Sequence, residues 1–264
     1  MANAALGYMN NAESNMQSSD PVAHWNWYRV ATLFDAIFGA QDAAANTRWD
    51  TVKSNLQALA NLANNQPDMY VLCDDSQFWS VSPSQGQPTV FRNPVDNQAY
   101  NYPNGVMTCA DSSPEGLYQI AYQINIGGTQ FISICSRQNS YNSNLSPGYS
   151  EGTTLDSLGT WSTTFLHEIM HALPLNQVGD STGGTAAGGE RYGWSGAVSI
   201  RQDYGERNPD SYRLFAMALS MEEWLWHSGQ AVSFNAEYDR LDKDANDATI
   251  TNLNLPSPAP GPWQ

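Results

Sequence analysis

The chain has 264 residues and a formal net charge of −15, with 11 basic and 26 acidic side chains. Nucleic-acid binding requires clustered Lys and Arg to neutralise phosphates, so this composition argues against a nucleic-acid partner. No stretch of 18 apolar residues occurs, so no membrane partner is expected. The length suits one domain over residues 1–250, followed by a proline-rich tail at 251–264, and we expect a monomer.

The low density of charged residues, 14% of the chain, accompanies many Asn, Gln, Ser, Thr and aromatic residues. That combination is typical of extracellular proteins and predicts a secreted chain. The first residues contain no basic region followed by an apolar stretch, so they are not expected to form a signal peptide.

Two amphipathic helices are predicted in the first quarter of the chain. Apolar residues recur at helical spacing between residues 27 and 38, and Gly39 follows as a C-terminal stop. A second helix is expected to bury an apolar face between residues 49 and 62. His24 lies just ahead of both and is expected at the surface or in a helix cap.

Short strands are predicted from residue 66 onward. Residues 69–73 (MYVLC) are apolar and predict a buried strand, and residues 117–124 alternate apolar and polar side chains. The pair Gly127-Gly128 offers a tight turn into residues 130–135, which predicts a hairpin. Strands in one part of the chain and helices in others indicate an α+β fold.

The three cysteines allow one disulfide and one free thiol. Cys109 and Cys135 flank the predicted hairpin, so their pairing is our first choice and would leave Cys73 free. A Cys73–Cys135 disulfide is the next alternative. No cysteine lies beside residues that resemble a catalytic His partner, so a thiolate nucleophile is not expected.

The sequence WSTTFLHEIMHALP at residues 161–174 contains an HExxH motif. On a helix, His167 and His171 lie on one face and can bind one Zn²⁺, while Glu168 reaches a water on that metal. Thr160 or Ser157 can cap this helix at its start, and Pro174 cannot continue it.

A catalytic zinc needs a third protein ligand and one open position. The glycine-rich segment 175–193 follows the motif and contains two carboxylates, Asp180 and Glu190. Both are candidates for the third ligand, and the one that does not bind metal is expected to be a solvated charge.

A further helix is predicted from residue 208 onward. Asn208 suits the N-cap, Pro209 the first helical position and Asp210 the first turn, and the helix is expected to run to about His227. Asp210 has two interpretations. It either complements the helix dipole or accepts a hydrogen bond from a ring N–H of a zinc-binding histidine.

These motifs together resemble the aspzincin metalloendopeptidases, the family of deuterolysins and fungal lysine-specific metalloendopeptidases. The resemblance covers residues 161–220: HEIMH, an Asp nine residues later, a Tyr-Gly pair, and N-x-D-S-Y opening a helix. It implies a zincin-like fold with N-terminal helices, a small mainly antiparallel sheet, the HExxH helix and a long C-terminal helix. It also implies a secreted fungal peptidase in which His167, His171 and Asp180 hold zinc and Glu168 is the general base.

By the same resemblance, Tyr192 would donate a hydrogen bond to the developing oxyanion, and Asp210 would be the buried carboxylate behind the ligands. The spacing departs from that of the better-known members, in which the ligand Asp precedes the Tyr by three residues. Asp180 precedes Tyr192 by twelve residues and Glu190 precedes it by two. The distance from the second His favours Asp180, and Glu190 is kept in reserve.

The expected activity is hydrolysis of peptide bonds in proteins or peptides by a zinc-activated water, with Glu168 as the general base. The alternative is a secreted zinc-binding protein or antigen without proteolytic activity, similar to related fungal sequences with an HRxxH motif. The intact Glu168 argues against that alternative, because metal capture alone requires no general base.

Overall fold

The computed structural model has an α+β fold with a mainly helical core and two small three-stranded sheets. It describes residues 1–62, 69–73, 75–81, 88–101, 109, 120–135, 149–173 and 190–243. The α+β prediction is confirmed. The predictions for Asp180 and for the tail at 251–264 concern residues outside these ranges.

The helices in the described ranges are α1 (Ala2–Met16), α2 (Pro21–Phe38), α3 (Ala45–Ala60), α4 (Trp161–Ala172), α5 (Gly193–Ser199), α6 (Pro209–Ser220) and α7 (Phe234–Lys243). The strands are β1 (Met69–Leu72), β2 (Trp79–Val81), β3 (Pro88–Arg92), β4 (Ala99–Asn101), β5 (Ala121–Ile126) and β6 (Thr129–Ile134). None of these helices combines the length and apolar character needed to cross a membrane.

The predicted helices α2 and α3 are confirmed, and α1 joins them in the main core. Asp20 caps α2 by accepting a hydrogen bond from the backbone N–H of Val22, and Gly39 ends the helix with φ 76°. His24 is buried in the first turns of α2 and packs against Trp27, so the surface position expected for it is wrong.

The sheet nearest α4 has the strand order β1-β6-β5. The predicted hairpin of β5 and β6 is confirmed, with Gly127 and Gly128 at φ 60° and 86° in its turn. The second sheet, β2-β3-β4, is antiparallel, whereas β1 runs parallel to β6. The prediction that β1 is buried is wrong, because it is an edge strand with Tyr70 36% and Val71 47% exposed.

The predicted disulfide is confirmed. It joins Cys109 to Cys135 at the end of β6, and both residues are buried in a small core beneath the sheet. Cys73 is a free and exposed thiol.

The helix α4 packs between β5 and α6, so it connects the sheet to the helical core. Ten of the twelve residues of α6 are buried. The prediction that α6 runs to about His227 is wrong: it ends at Ser220, and Leu225 then pairs with Val232 in an antiparallel bridge. The chain re-enters a helix at α7, which was not predicted.

Candidate metal centre

The HExxH sequence forms the last turns of α4 and places both histidine side chains on one face. Thr160 and Thr163 form a capping box at the start of this helix, which fixes where its turns begin. The side chains of His167 and His171 are each 8% exposed, and their Nε2 atoms lie 3.3 Å apart. Two imidazole nitrogens therefore converge on one point.

Glu190 completes a triangle of ligand atoms. Its Oε1 lies 2.9 Å from Nε2 of His167 and 3.4 Å from Nε2 of His171. Zinc–ligand bonds of about 2.0–2.1 Å put the ligand atoms of a tetrahedral ion roughly 3.3 Å apart. The three atoms thus have the spacing of three corners of a zinc coordination sphere, and they form the one such group among the described residues.

The two oxygens of Glu190 differ in their hydrogen bonding. Oε2 accepts a hydrogen bond of 2.7 Å from the hydroxyl of Tyr192. Oε1 is buried and receives no aligned hydrogen bond from any residue that the structure describes, although two imidazoles are close to it. A buried carboxylate oxygen needs a positive charge or a donor beside it. A protonated His167 can supply that charge without metal, and a cation held by the two imidazoles would supply it in the bound state, so the residues present fit a metal ion.

Asp210 lies behind His167 at the start of α6. Its Oδ1 is 3.1 Å from Nδ1 of His167, and its Oδ2 accepts a hydrogen bond of 2.6 Å from the backbone N–H of Gly193. Arg213 binds both oxygens of the same carboxylate. With the proton of His167 on Nδ1, the lone pair of Nε2 is directed at the candidate metal position.

The pKa values show the electrostatics of the centre without metal. Burial lowers the pKa of His167, but its contacts with Asp210 and Glu190 outweigh burial and raise this pKa to about 10. Burial raises the pKa of Glu190, but the neighbouring imidazoles of His167 and His171 hold it well below its usual range. Burial likewise raises the pKa of Asp210, but His167 and Arg213 hold it well below its usual range. A protonated imidazole therefore supplies the positive charge between two carboxylates.

Tyr192 borders the centre and is 63% exposed. Its ring stacks on that of His167 with 5.6 Å between centroids and 21° between planes. Its hydroxyl contacts Glu190, which is the reserve ligand of the sequence analysis. The oxyanion role that the family resemblance implies for Tyr192 stays a prediction.

Glu168 is buried on α4, directly after His167 in sequence. Its negative charge contributes to the raised pKa of His167, so the two groups lie close enough to interact. The spacing of Glu168 and the two histidines along the helix is that of the HExxH motif.

The other two histidines lie outside the ligand triangle. Nε2 of His227 is 3.6 Å from Oε1 of Glu237, a buried carboxylate on α7. His24 packs against an aromatic side chain of α2. Neither belongs to the metal-ligand group that the described residues form.

Sequence analysis did not identify Arg213 or Asp156 at the centre, and it predicted only a capping role for Asn208. Arg213 fixes Asp210, Asn208 holds the backbone of residue 191, and Asp156 accepts a hydrogen bond of 2.8 Å from the backbone N–H of Trp194. The spacing of Arg213 three residues after Asp210 on a helix was a usable signal. The other two contacts join distant parts of the chain and leave no local pattern.

No model of a known protein family matches this chain, and no curated protein matches it either. The resemblance to aspzincins rests on the motifs in residues 161–220 and stays a prediction.

Proposed function

We propose that this protein is a zinc-dependent endopeptidase with a zincin-like fold. The observation that carries the proposal is the triangle formed by Nε2 of His167, Nε2 of His171 and Oε1 of Glu190, with sides of 2.9 to 3.4 Å. Its two histidines lie on the helix that also carries Glu168, and a metal site made only for capture or structure needs no such carboxylate.

His167, His171 and Glu190 would hold the ion and leave one coordination position open. Zinc bound there would polarise a scissile carbonyl and lower the pKa of a water molecule. The closed coordination sphere of a structural zinc site requires a fourth protein ligand. Asp180, the ligand favoured by the sequence, stays a competing prediction for the third position.

The residues of the chain then have separate tasks. Glu168 takes a proton from the attacking water and passes it to the leaving amine. Asp210 holds the tautomer and orientation of His167, and Arg213 holds Asp210 in place. Water attacks the peptide bond directly, so no covalent acyl-enzyme forms.

The proposed substrates are proteins or peptides in an extracellular environment. The Cys109–Cys135 disulfide supports this location, because disulfides persist mainly in oxidising compartments. The acidic composition supports a protein that acts without nucleic acid. A fungal source is proposed on the resemblance alone.

The test compares the wild type with Glu168→Gln, in metal content and in cleavage of a denatured protein substrate. We expect one zinc per chain in both proteins and cleavage by the wild type only. Zinc in both without cleavage by either would favour a non-proteolytic zinc-binding protein. Absence of zinc from both would refute the metal centre.

A further inference from the structure

Asn208 occupies the N-cap position of α6, but its side chain does not cap the helix. The residue is completely buried. Its Oδ1 accepts a hydrogen bond of 3.1 Å from the backbone N–H of Arg191, and its Nδ2 donates one of 3.0 Å to the carbonyl oxygen of the same residue. Nδ2 also donates to Oγ of Ser211 at 3.0 Å.

One carboxamide therefore satisfies both backbone groups of Arg191, as a neighbouring strand would. A carboxamide places an N–H donor and an oxygen acceptor side by side, as this pairing requires. Arg191 lies between Glu190, which supplies the third ligand atom, and Tyr192, whose hydroxyl binds the other oxygen of that carboxylate. Fixing the backbone of residue 191 limits how far both side chains can move.

The first turn of α6 also holds the next part of this segment. Oδ2 of Asp210 accepts from the backbone N–H of Gly193, and Oδ1 of the same carboxylate holds His167. The first turn of α6 therefore holds both the segment 190–193 and His167 of α4 in place. Asp210 orients His167, and Asn208 is placed to orient the segment that carries Glu190.

We propose that Asn208 is a positioning residue of the metal centre, whose carboxamide holds Arg191 so that Oε1 of Glu190 faces the two imidazoles. The inference rests on the proposed metal site. It goes beyond that site because the side chain of Asn208 hydrogen-bonds Arg191 and Ser211 and none of the three candidate ligand atoms.

A role in helix capping makes a different prediction from a role in positioning. Serine is as good an N-cap residue as asparagine, but it is too short to pair with both backbone groups of Arg191. Asn208→Ser therefore preserves a capping role and removes a positioning role. Asn208→Asp is a second variant with nearly the same shape, and it retains an acceptor but loses both donated hydrogen bonds.

The experiment measures zinc affinity by competition with a chromophoric chelator, together with the circular dichroism of the metal-free proteins. We expect Asn208→Ser and Asn208→Asp to lower zinc affinity on the order of 10-fold, the usual cost of losing a supporting contact. Asn93→Ser is the matched control: Asn93 is also buried, but its side chain bonds the turn between β3 and β4, and zinc affinity should not change.

A double-mutant cycle with Glu190→Gln separates an effect of Asn208 on the position of Glu190 from a general loss of structure. If Asn208 acts through Glu190, Asn208→Ser should cause little further loss of zinc affinity in the Glu190→Gln background. An equal loss in both backgrounds, or wild-type affinity in both Asn208 variants, would overturn the inference. A wild type that binds no zinc would refute the proposed centre as well, whereas a zinc-binding wild type with unaffected Asn208 variants would refute this inference alone.

Discussion

Tyr192 illustrates how a single residue can serve two roles that are separable by experiment. Its ring stacks on His167, and its hydroxyl donates to Oε2 of Glu190. The hydrogen bond favours a role in orienting the ligand carboxylate, whereas the family resemblance implies a role at the oxyanion. The first role affects metal affinity, and the second affects only turnover.

Tyr192→Phe keeps the stacked ring and removes the hydroxyl. If the hydroxyl orients Glu190, zinc affinity should fall by about 10-fold, within the range for supporting contacts of metal ligands. Chelator competition measures this effect directly. Unchanged zinc affinity with a large loss in kcat would instead assign Tyr192 to the oxyanion.

The raised pKa of His167 predicts a pH dependence of metal binding. Without metal this imidazole has a pKa of about 10 and is protonated at neutral pH, but a metal ligand must be neutral. Zinc uptake near pH 7 should therefore release about one proton, and affinity should rise roughly tenfold per pH unit. Calorimetry in two buffers of different ionisation enthalpy measures the proton, and zinc binding without proton release would contradict the prediction.

The raised pKa of His167 affects the stability of the metal-free protein in the opposite direction: the stability falls as the pH rises. The folded-state pKa of His167 lies above the unfolded value of 6.5, so its ionic contacts stabilise the fold fully below pH 6.5. That contribution is lost as the pH rises toward 10. Metal-free protein should thus lose stability over the pH range in which zinc affinity increases.

At the scale of elements, the capping box of α4 determines where the HExxH helix begins. Oγ1 of Thr160 accepts from the backbone N–H of Thr163 at 3.2 Å, and Oγ1 of Thr163 accepts from the backbone N–H of Thr160 at 2.8 Å. The two candidate ligands His167 and His171 lie in the last turns of this helix. The box therefore affects folding more than it affects the geometry of the centre.

Thr160→Ala should lower the free energy of unfolding by about 1 kcal/mol, because it leaves a backbone N–H of the first turn without its acceptor. Urea denaturation of the metal-free protein measures this loss, and zinc affinity should change little. Thr160→Ser retains the hydroxyl and is the matched control. An equal loss in the serine variant would assign the effect to packing of the buried methyl group.

The elements that sequence predicted correctly are those with a regular apolar pattern or a strong turn signal. Helices α2 and α3 have apolar residues at helical spacing, and the β5–β6 hairpin has two glycines at its turn. Helices α1 and α7 were missed although each has an apolar face, because their sequences are otherwise polar or rich in small residues. In α7 the apolar face is Phe234, Tyr238 and Leu241, at helical spacing, so the signal was present but narrow.

Two predictions were wrong because an apolar sequence does not show which neighbouring element its residues will contact. The sequence of β1 is apolar throughout, yet the strand lies at the edge of its sheet and exposes Val71. The apolar residues after Ser220 continue the pattern of α6, yet they form a bridge that packs beside α2 instead. In both cases the position of a neighbouring element decides the outcome.

For the whole molecule, the candidate centre is where three separate parts of the chain meet. The motif supplied His167, Glu168 and His171 from local spacing alone. The structure adds that Glu190, which follows His171 by 19 residues, lies against both imidazoles. A loop carboxylate cannot be placed from spacing, because the path of the loop depends on contacts such as those of α6 with residues 191 and 193.

Metal should therefore stabilise the whole fold, since the ion would join α4 to the segment held by α6. Zinc at 100 times its Kd should add about 2.7 kcal/mol to the free energy of unfolding, and a chelator should remove that gain. Thermal unfolding with and without zinc measures the effect for wild type, Glu190→Gln and Asp180→Asn. If Glu190 is the third ligand, its variant should lose most of the zinc-dependent shift in Tm and Asp180→Asn should keep it. The reverse result would assign the third position to Asp180, and a full shift in both variants would exclude each of them as a required ligand.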